Sequence, residues 1–158
     1  MSPPIAPFPL SRGLLEAVLA DRTSDRFVCE LVWQRLGYLP DPVAGPERPW
    51  RAGPTTPAEW AEAFPEAPPL IAERRASVQL TRSIAPPHKQ LLKQQLGFAG
   101  YRIGELVPRR TRRATAVNWL LAHLADRGEV LAADGPLPPL LDPPSDPAAG
   151  HPGDPPVG

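Results

Sequence analysis

The residues best equipped for chemistry in this chain are cations. Arg109, Arg110, Arg112 and Arg113 crowd one short run. Guanidinium groups present planar forks of N–H donors that match carboxylates and phosphates. The run opens a helical pattern, so the arginines sit at the positive end of a helix dipole. Each exposed cation there costs roughly 0.3–1 kcal/mol. An anion is the natural compensation, because free helix N–H groups and guanidinium forks converge on the same place.

The helix that positions them is legible. Pro108 suits its first position and Gly128 the left-handed position after its last turn, which predicts a helix over about residues 108–127. At 100° per residue, Ala114, Val117, Leu120, Leu121 and Leu124 gather in one apolar sector that should face a core. Arg109, Arg112, Trp119, His123 and Arg127 project the other way. Arg110 and Arg113 lean toward the apolar sector, which predicts internal pairing for those two. Arg82, Lys89, Lys93 and Arg102 extend the basic set upstream. The expected binding face is therefore Arg82, Lys89, Lys93, Arg102, Arg109 and Arg112, with Trp119 and His123 alongside.

Charge is strongly segregated. Residues 1–73 carry 6 basic and 10 acidic side chains, residues 74–113 carry 10 and 1, and residues 114–158 carry 1 and 6, within a chain of zero net charge. Two readings follow: a basic face for an anionic partner, or an acidic N-terminal half lying against the basic segment. The single cysteine, Cys29, excludes an internal disulfide and a cysteine-based zinc site. No apolar run reaches the ~18 residues of a membrane span, and no secretory layout opens the chain. A cytoplasmic protein follows. His88, His123 and His151 lack metal-ligand spacing, and no phosphate-cradling glycine loop or nucleophile elbow is present. No cofactor is expected.

The supporting elements read as mainly α with a small β element, one domain over about residues 10–132. Residues 1–9 form a flexible arm. Helices are expected over Leu10–Ala20, capped by Ser11, and over Asp25–Leu36, capped by Ser24 and ended by Gly37. Residues 40–69 are proline-punctuated and irregular, with a short helix over Pro57–Phe64 carrying Trp60 and Phe64. Ser77–Ile84 alternates as a strand. A helix runs from Pro86 to Leu96. Phe98–Leu106 is a strand or a short helix, and Glu129–Ala132 a short strand. Residues 133–158, rich in proline, glycine and aspartate, should be a disordered tail.

The run Leu80–Leu124 resembles a family of small proteins from cyanobacteria and plant plastids catalogued as a domain of unknown function. Asp25–Pro42 is similar to that family's N-terminal part. The resemblance covers most of residues 10–126 and implies a cytoplasmic or stromal setting, but no reaction. At motif level, Val117, Leu121, Leu124 and Gly128 resemble the recognition-helix spacing of winged-helix proteins, with Glu129–Leu131 beginning the wing. That likeness implies a winged-helix-like C-terminal half in which basic side chains grip phosphates.

These observations point first to a non-catalytic binding protein for an anionic macromolecule, nucleic acid or the acidic surface of a protein, with nucleic acid favoured. An assembly or regulatory adaptor for a photosynthetic complex is the alternative that the resemblance implies. An enzyme ranks third, since active sites assemble from residues distant in sequence.

Overall fold

Ser11 accepts a hydrogen bond from the Leu14 N–H and starts α1, Arg12–Leu19. Ser24 does the same for Phe27 and starts α2, Asp25–Leu36, which ends on Gly37 at φ +84°. A computed structural model describes residues 6–42, 45 and 47–158. After α2, β1 (Leu39–Pro40) and β2 (Trp50–Arg51) pair antiparallel, Leu39 opposite Arg51. Then follow α3 (Ala58–Ala63), α4 (Arg74–Ser83), a 3₁₀ turn at Pro86–His88, α5 (Leu91–Leu96), a second 3₁₀ turn at Ile103–Glu105, and α6 (Pro108–Asp126).

α6 is the axis of the fold, with α1, α2, α4 and α5 packed around it. Val117, Leu120 and Leu121 are fully buried at its centre, as are Leu14, Leu15 and Val18 of α1 and Val28 and Val32 of α2. Each such side chain contributes roughly 1.5–3 kcal/mol by leaving water. The proline-rich segment closes one side of this core. Trp50, Trp60 and Phe64 are buried there, and the Tyr38 hydroxyl donates to the carbonyls of Trp60 and Phe64.

Several elements depart from the sequence expectation. Ser77–Ile84 is not a strand; it belongs to α4 and its C-cap. The alternation of Val78, Leu80 and Ile84 is the weaker pattern: Ala76, Leu80 and Ile84, four apart, are the apolar residues that are buried, with Ser77 beside them, and Val78 is exposed. The small sheet lies in residues 39–51 instead. The helix expected from Pro86 to Leu96 is split into a 3₁₀ turn and a short α-helix. Among the described residues Glu129–Leu131 forms no wing, and Ala132 makes one parallel bridge to Ser11. Of the N-terminal arm, residues 1–5 lie outside the described residues. Phe8 is docked: it packs edge-on against Phe27, its N–H donates to the Gln34 side-chain oxygen, and its carbonyl accepts from the Arg35 guanidinium.

The tail, residues 133–158, expected to be disordered, runs along the domain in the structure. The Leu141 N–H donates to the Arg22 carbonyl, and the Arg22 Nε–H donates back to the carbonyl of Leu141. His151 is buried, and the Gly158 N–H donates to the Ala72 carbonyl. Polar anchors, not an apolar pattern, hold it.

Two outcomes check this packing. Trp60→Ala should lower the unfolding free energy by about 3–5 kcal/mol in denaturant titration, the usual cost of deleting a buried large aromatic. Burial pushes the Cys29 thiol up to about 12, so a thiol reagent at neutral pH should label it only as the chain unfolds.

Candidate functional site

The arginine run at the start of α6 does find anions, and they belong to the chain itself. α1 ends in a Schellman motif: the Asp21 N–H donates to the Val18 carbonyl and the Arg22 N–H to that of Ala17. Asp21 takes the left-handed position at φ +61°, which a glycine usually fills. That backbone aims its carboxylate at α6. Arg109 grips it with both terminal nitrogens, Nη1 to Oδ2 at 2.6 Å and Nη2 to Oδ1 at 2.8 Å. The Arg109 Nε–H donates to Asp25 at 2.9 Å. Arg113 donates to Asp25, to the Thr23 hydroxyl and to the Val18 carbonyl. Arg110 reaches Asp21 through Nε at 3.0 Å and lies over the Tyr101 ring. The side chains of Arg109 and Arg113 are 0% exposed.

The tail completes the cluster. Asp154 accepts from Arg109 Nη2 at 3.2 Å, and its other oxygen accepts from the Asp25 N–H, the first of α2, at 3.0 Å. His151 Nε2 donates to the Asp142 carbonyl and Nδ1 accepts from Arg109, a tautomer assigned by these two contacts.

Electrostatics within the cluster are uneven. Burial pushes the Asp21 carboxyl up, but the hydrogen bonds and charges of Arg109, Arg113 and Arg110 outweigh it and hold the pKa below the ordinary aspartate value. Asp25 is more deeply desolvated. Burial raises its pKa, Arg109 and Arg113 oppose this without cancelling it, and the Asp154 charge adds to the rise. Burial alone would lower the Arg109 pKa; its bonds to Asp21 and Asp25 raise it instead.

Arg109 is therefore not part of an open face. The paired carboxylates repay its desolvation, and all five of its N–H groups have acceptors. Arg110 and Arg113 pair internally, as their angular positions imply. Trp119 is also inside: it is 8% exposed and its indole N–H donates to the Ser83 hydroxyl across the α4–α6 contact. His123 stacks on Trp119 at 5.4 Å and is half-buried, and burial lowers its pKa. The remaining expected residues do not form one face. Lys89, whose amine donates to the Thr81 carbonyl, and Lys93 line a shallow hollow with Phe98. Arg102 lines a separate one beside Tyr101.

Arg82 and Arg112 do come together. They face each other across a groove of about 590 Å³ between α4 and the first turns of α6. Arg74, Val78 and Arg82 line the α4 side at i, i+4, i+8. Pro108, Thr111, Arg112 and Thr115 line the α6 side, and Leu106 and Val107 close one end. Arg112 Nη1 donates to the carbonyls of Ile71 and Ala72. Burial, then the charge of Arg74, lowers its pKa. Among the described residues none of these three arginines has a carboxylate within ion-pair distance. Leu106 is 56% exposed, and Ile103 on the same loop is 98% exposed. The sequence reading missed Arg74, Val78 and Leu106. A helical reading of residues 74–83 would have aligned Arg74, Val78 and Arg82 on one face.

The fold and site define a small, mainly helical domain with an internal ion cluster and a basic, apolar-floored groove. The chain belongs to the family described as a domain of unknown function, DUF1823, whose model matches residues 9–125. It is similar to a protein whose structure was solved in solution by NMR, at 47% identity and a TM-score of 0.62, over 82% of this chain and 100% of the other. None of the curated proteins matches it. Among the described residues no helix is long and apolar enough to cross a membrane, and no group of His, Cys, Asp and Glu has the makings of a metal site.

Asp21→Asn isolates the charge, since asparagine also tolerates the left-handed backbone. It should cost about 3–5 kcal/mol by leaving Arg109 without its bidentate partner. The native Asp21 pKa is depressed, so its stabilisation is present above about pH 3.9 and is lost as pH falls through the lower folded value. Denaturant titrations between about pH 5 and 2 should show a shallower acid-side loss of stability in the variant.

Proposed function

We propose that this protein is a non-catalytic binding module whose α4–α6 groove takes an acidic segment of another protein. The observation that supports this is the lining: among the described residues Arg74, Arg82 and Arg112 have no carboxylate within ion-pair distance, and they surround the apolar side chains of Val78, Leu106 and Val107. Charge without a floor would suit a phosphate backbone, which offers no apolar group at its contact points. A floor between cations suits carboxylates flanking an apolar side chain. Arginine and aliphatic residues grouped this way resemble the anchoring part of a protein interface, where desolvation raises the value of each charged contact. An adaptor within a larger assembly is the cellular role that fits such a surface.

Nucleic acid, the partner favoured by the sequence, loses Arg109 and Trp119 from its expected face, since Arg109 is committed to Asp21 and Asp25 and Trp119 is buried. Arg82, Lys89, Lys93 and Arg102 remain exposed, but they line separate hollows.

The test titrates the full chain with two labelled probes by fluorescence anisotropy: a peptide alternating glutamate and leucine, and a mixed-sequence DNA duplex. The peptide should bind, and Arg74→Glu with Arg82→Glu should weaken it at least about 10-fold, or about 1.4 kcal/mol. Melting temperature should change little, as for other exposed substitutions. Val78→Asp should weaken the peptide as well. Duplex binding that exceeds peptide binding, falls by orders of magnitude between about 50 and 200 mM salt, and ignores Val78→Asp would return the function to nucleic acid.

A further inference from the structure

The tail contact has the form of a ligand in a site. Asp21, Asp25, Arg109, Arg110 and Arg113 all lie within the family match of residues 9–125, whereas Asp154 and His151 lie beyond it. Without the tail the cluster holds three guanidinium groups and two carboxylates, one positive charge in excess. Asp154 supplies the missing negative charge with a side chain only 2% exposed. One carboxylate oxygen accepts from a fully buried guanidinium and from the tail's own His151 N–H, and the other accepts from the first N–H of α2, a 12-residue helix whose dipole favours an anion there.

The fit is steric as well as electrostatic. Gly150, at φ +86°, lies flat on the Arg109 guanidinium. A Cβ there would fall 2.5 Å from Arg109 Nε and 2.5 Å from Asp154 Oδ2. A glycine four residues before the acid is thus required for the approach. Downstream, the tail is held by the Gly158 N–H on the Ala72 carbonyl, and upstream by Leu141 on Arg22. The covering segment contains no apolar side chain buried in the core.

We propose that Arg109 and the N-terminus of α2 form a carboxylate-binding seat, and that Asp154 fills it in cis as a displaceable strap. The ligand class is an aspartate or glutamate on an extended segment of another protein, with glycine four residues before it. Such a segment competes with the tail for the same two donors. The donors of the seat, Arg109 and the Asp25 N–H, lie outside the lining of the α4–α6 groove, while the strap's last anchor, the Ala72 carbonyl, also accepts from Arg112 of that groove.

Two full-length variants test this by ¹H–¹⁵N NMR: Asp154→Ala removes the carboxylate, and Gly150→Ala blocks the approach. In either, the amides of Leu141 and Gly158 should lose hydrogen-exchange protection while those of α6 keep theirs, and the Asp25 amide resonance should move. A peptide of residues 146–158, added in trans, should return that resonance saturably toward its original position. The same peptide carrying Asp154→Asn should not. Whichever variant keeps α6 protected decides the matter. Three results overturn the proposal: protection at Leu141 and Gly158 that persists in both variants, loss of α6 protection in both, or a released tail with an Asp25 amide indifferent to the peptide.

Discussion

A guanidinium group with no access to water constrains this fold more than any other feature. Arg109 offers five N–H groups and a charge that does not titrate away under ordinary conditions. Moving such a group out of water costs several kcal/mol even after the surroundings relax. The cost is met only if carboxylates lie at the right distance and angle. Asp21 can meet Arg109 end-on because α1 stops in a left-handed residue, and Asp25 can meet it from the side because α2 begins four residues later. The α1–α2 turn is therefore set by α6 as much as by its own sequence. The apolar packing of α1 and α2 on α6 holds the helices together, and the ion cluster fixes their register.

That arrangement also determines which charge is left for a partner. On α6, Arg109, Arg110 and Arg113 lie on one flank. Pro108, Arg112 and Thr115 lie on the other, because successive residues turn by 100°. The first flank is neutralised within the chain. The second meets α4, whose exposed edge adds Arg74 and Arg82. The second reading of the charge segregation, self-complementation, is thus realised in part. Acidic residues of the N-terminal half do cover the basic segment, but the two that do so are Asp21 and Asp25. Glu59, Glu62 and Glu66 remain on the surface.

What the sequence disclosed depended on how local the signal was. α1, α2 and α6 announce themselves through serine caps, Pro108, Gly37 and long 3.6-residue periodicity, all contained within each segment. α4 does not, because over eight residues Val78, Leu80 and Ile84 satisfy a strand as well as a helix. Burial of Ala76 and exposure of Val78 separate the two. Angular projection placed Arg110 and Arg113 correctly, but Arg109 falls at the margin of the apolar sector and reads as outward. A long side chain at the helix start can swing to either flank, and its partners lie 84 and 88 residues away in sequence. The tail was least legible of all. Its anchors are Asp154 and His151, in a segment whose composition otherwise suits a disordered chain.

The groove poses the opposite problem from the cluster. Arg74 and Arg112 are near enough for one charge to depress the pKa of the other, and no carboxylate separates them. Exposed charges are screened by solvent and salt, so the free protein tolerates this proximity at small cost. The balance changes when an apolar side chain settles on Val78 and Leu106. Water leaves, screening falls, and like charges that were tolerable become costly unless an anion arrives with the apolar group. A purely apolar segment would therefore be rejected, and a purely acidic one would leave the floor wet. For the partner proposed above, discrimination would arise from requiring both features at once.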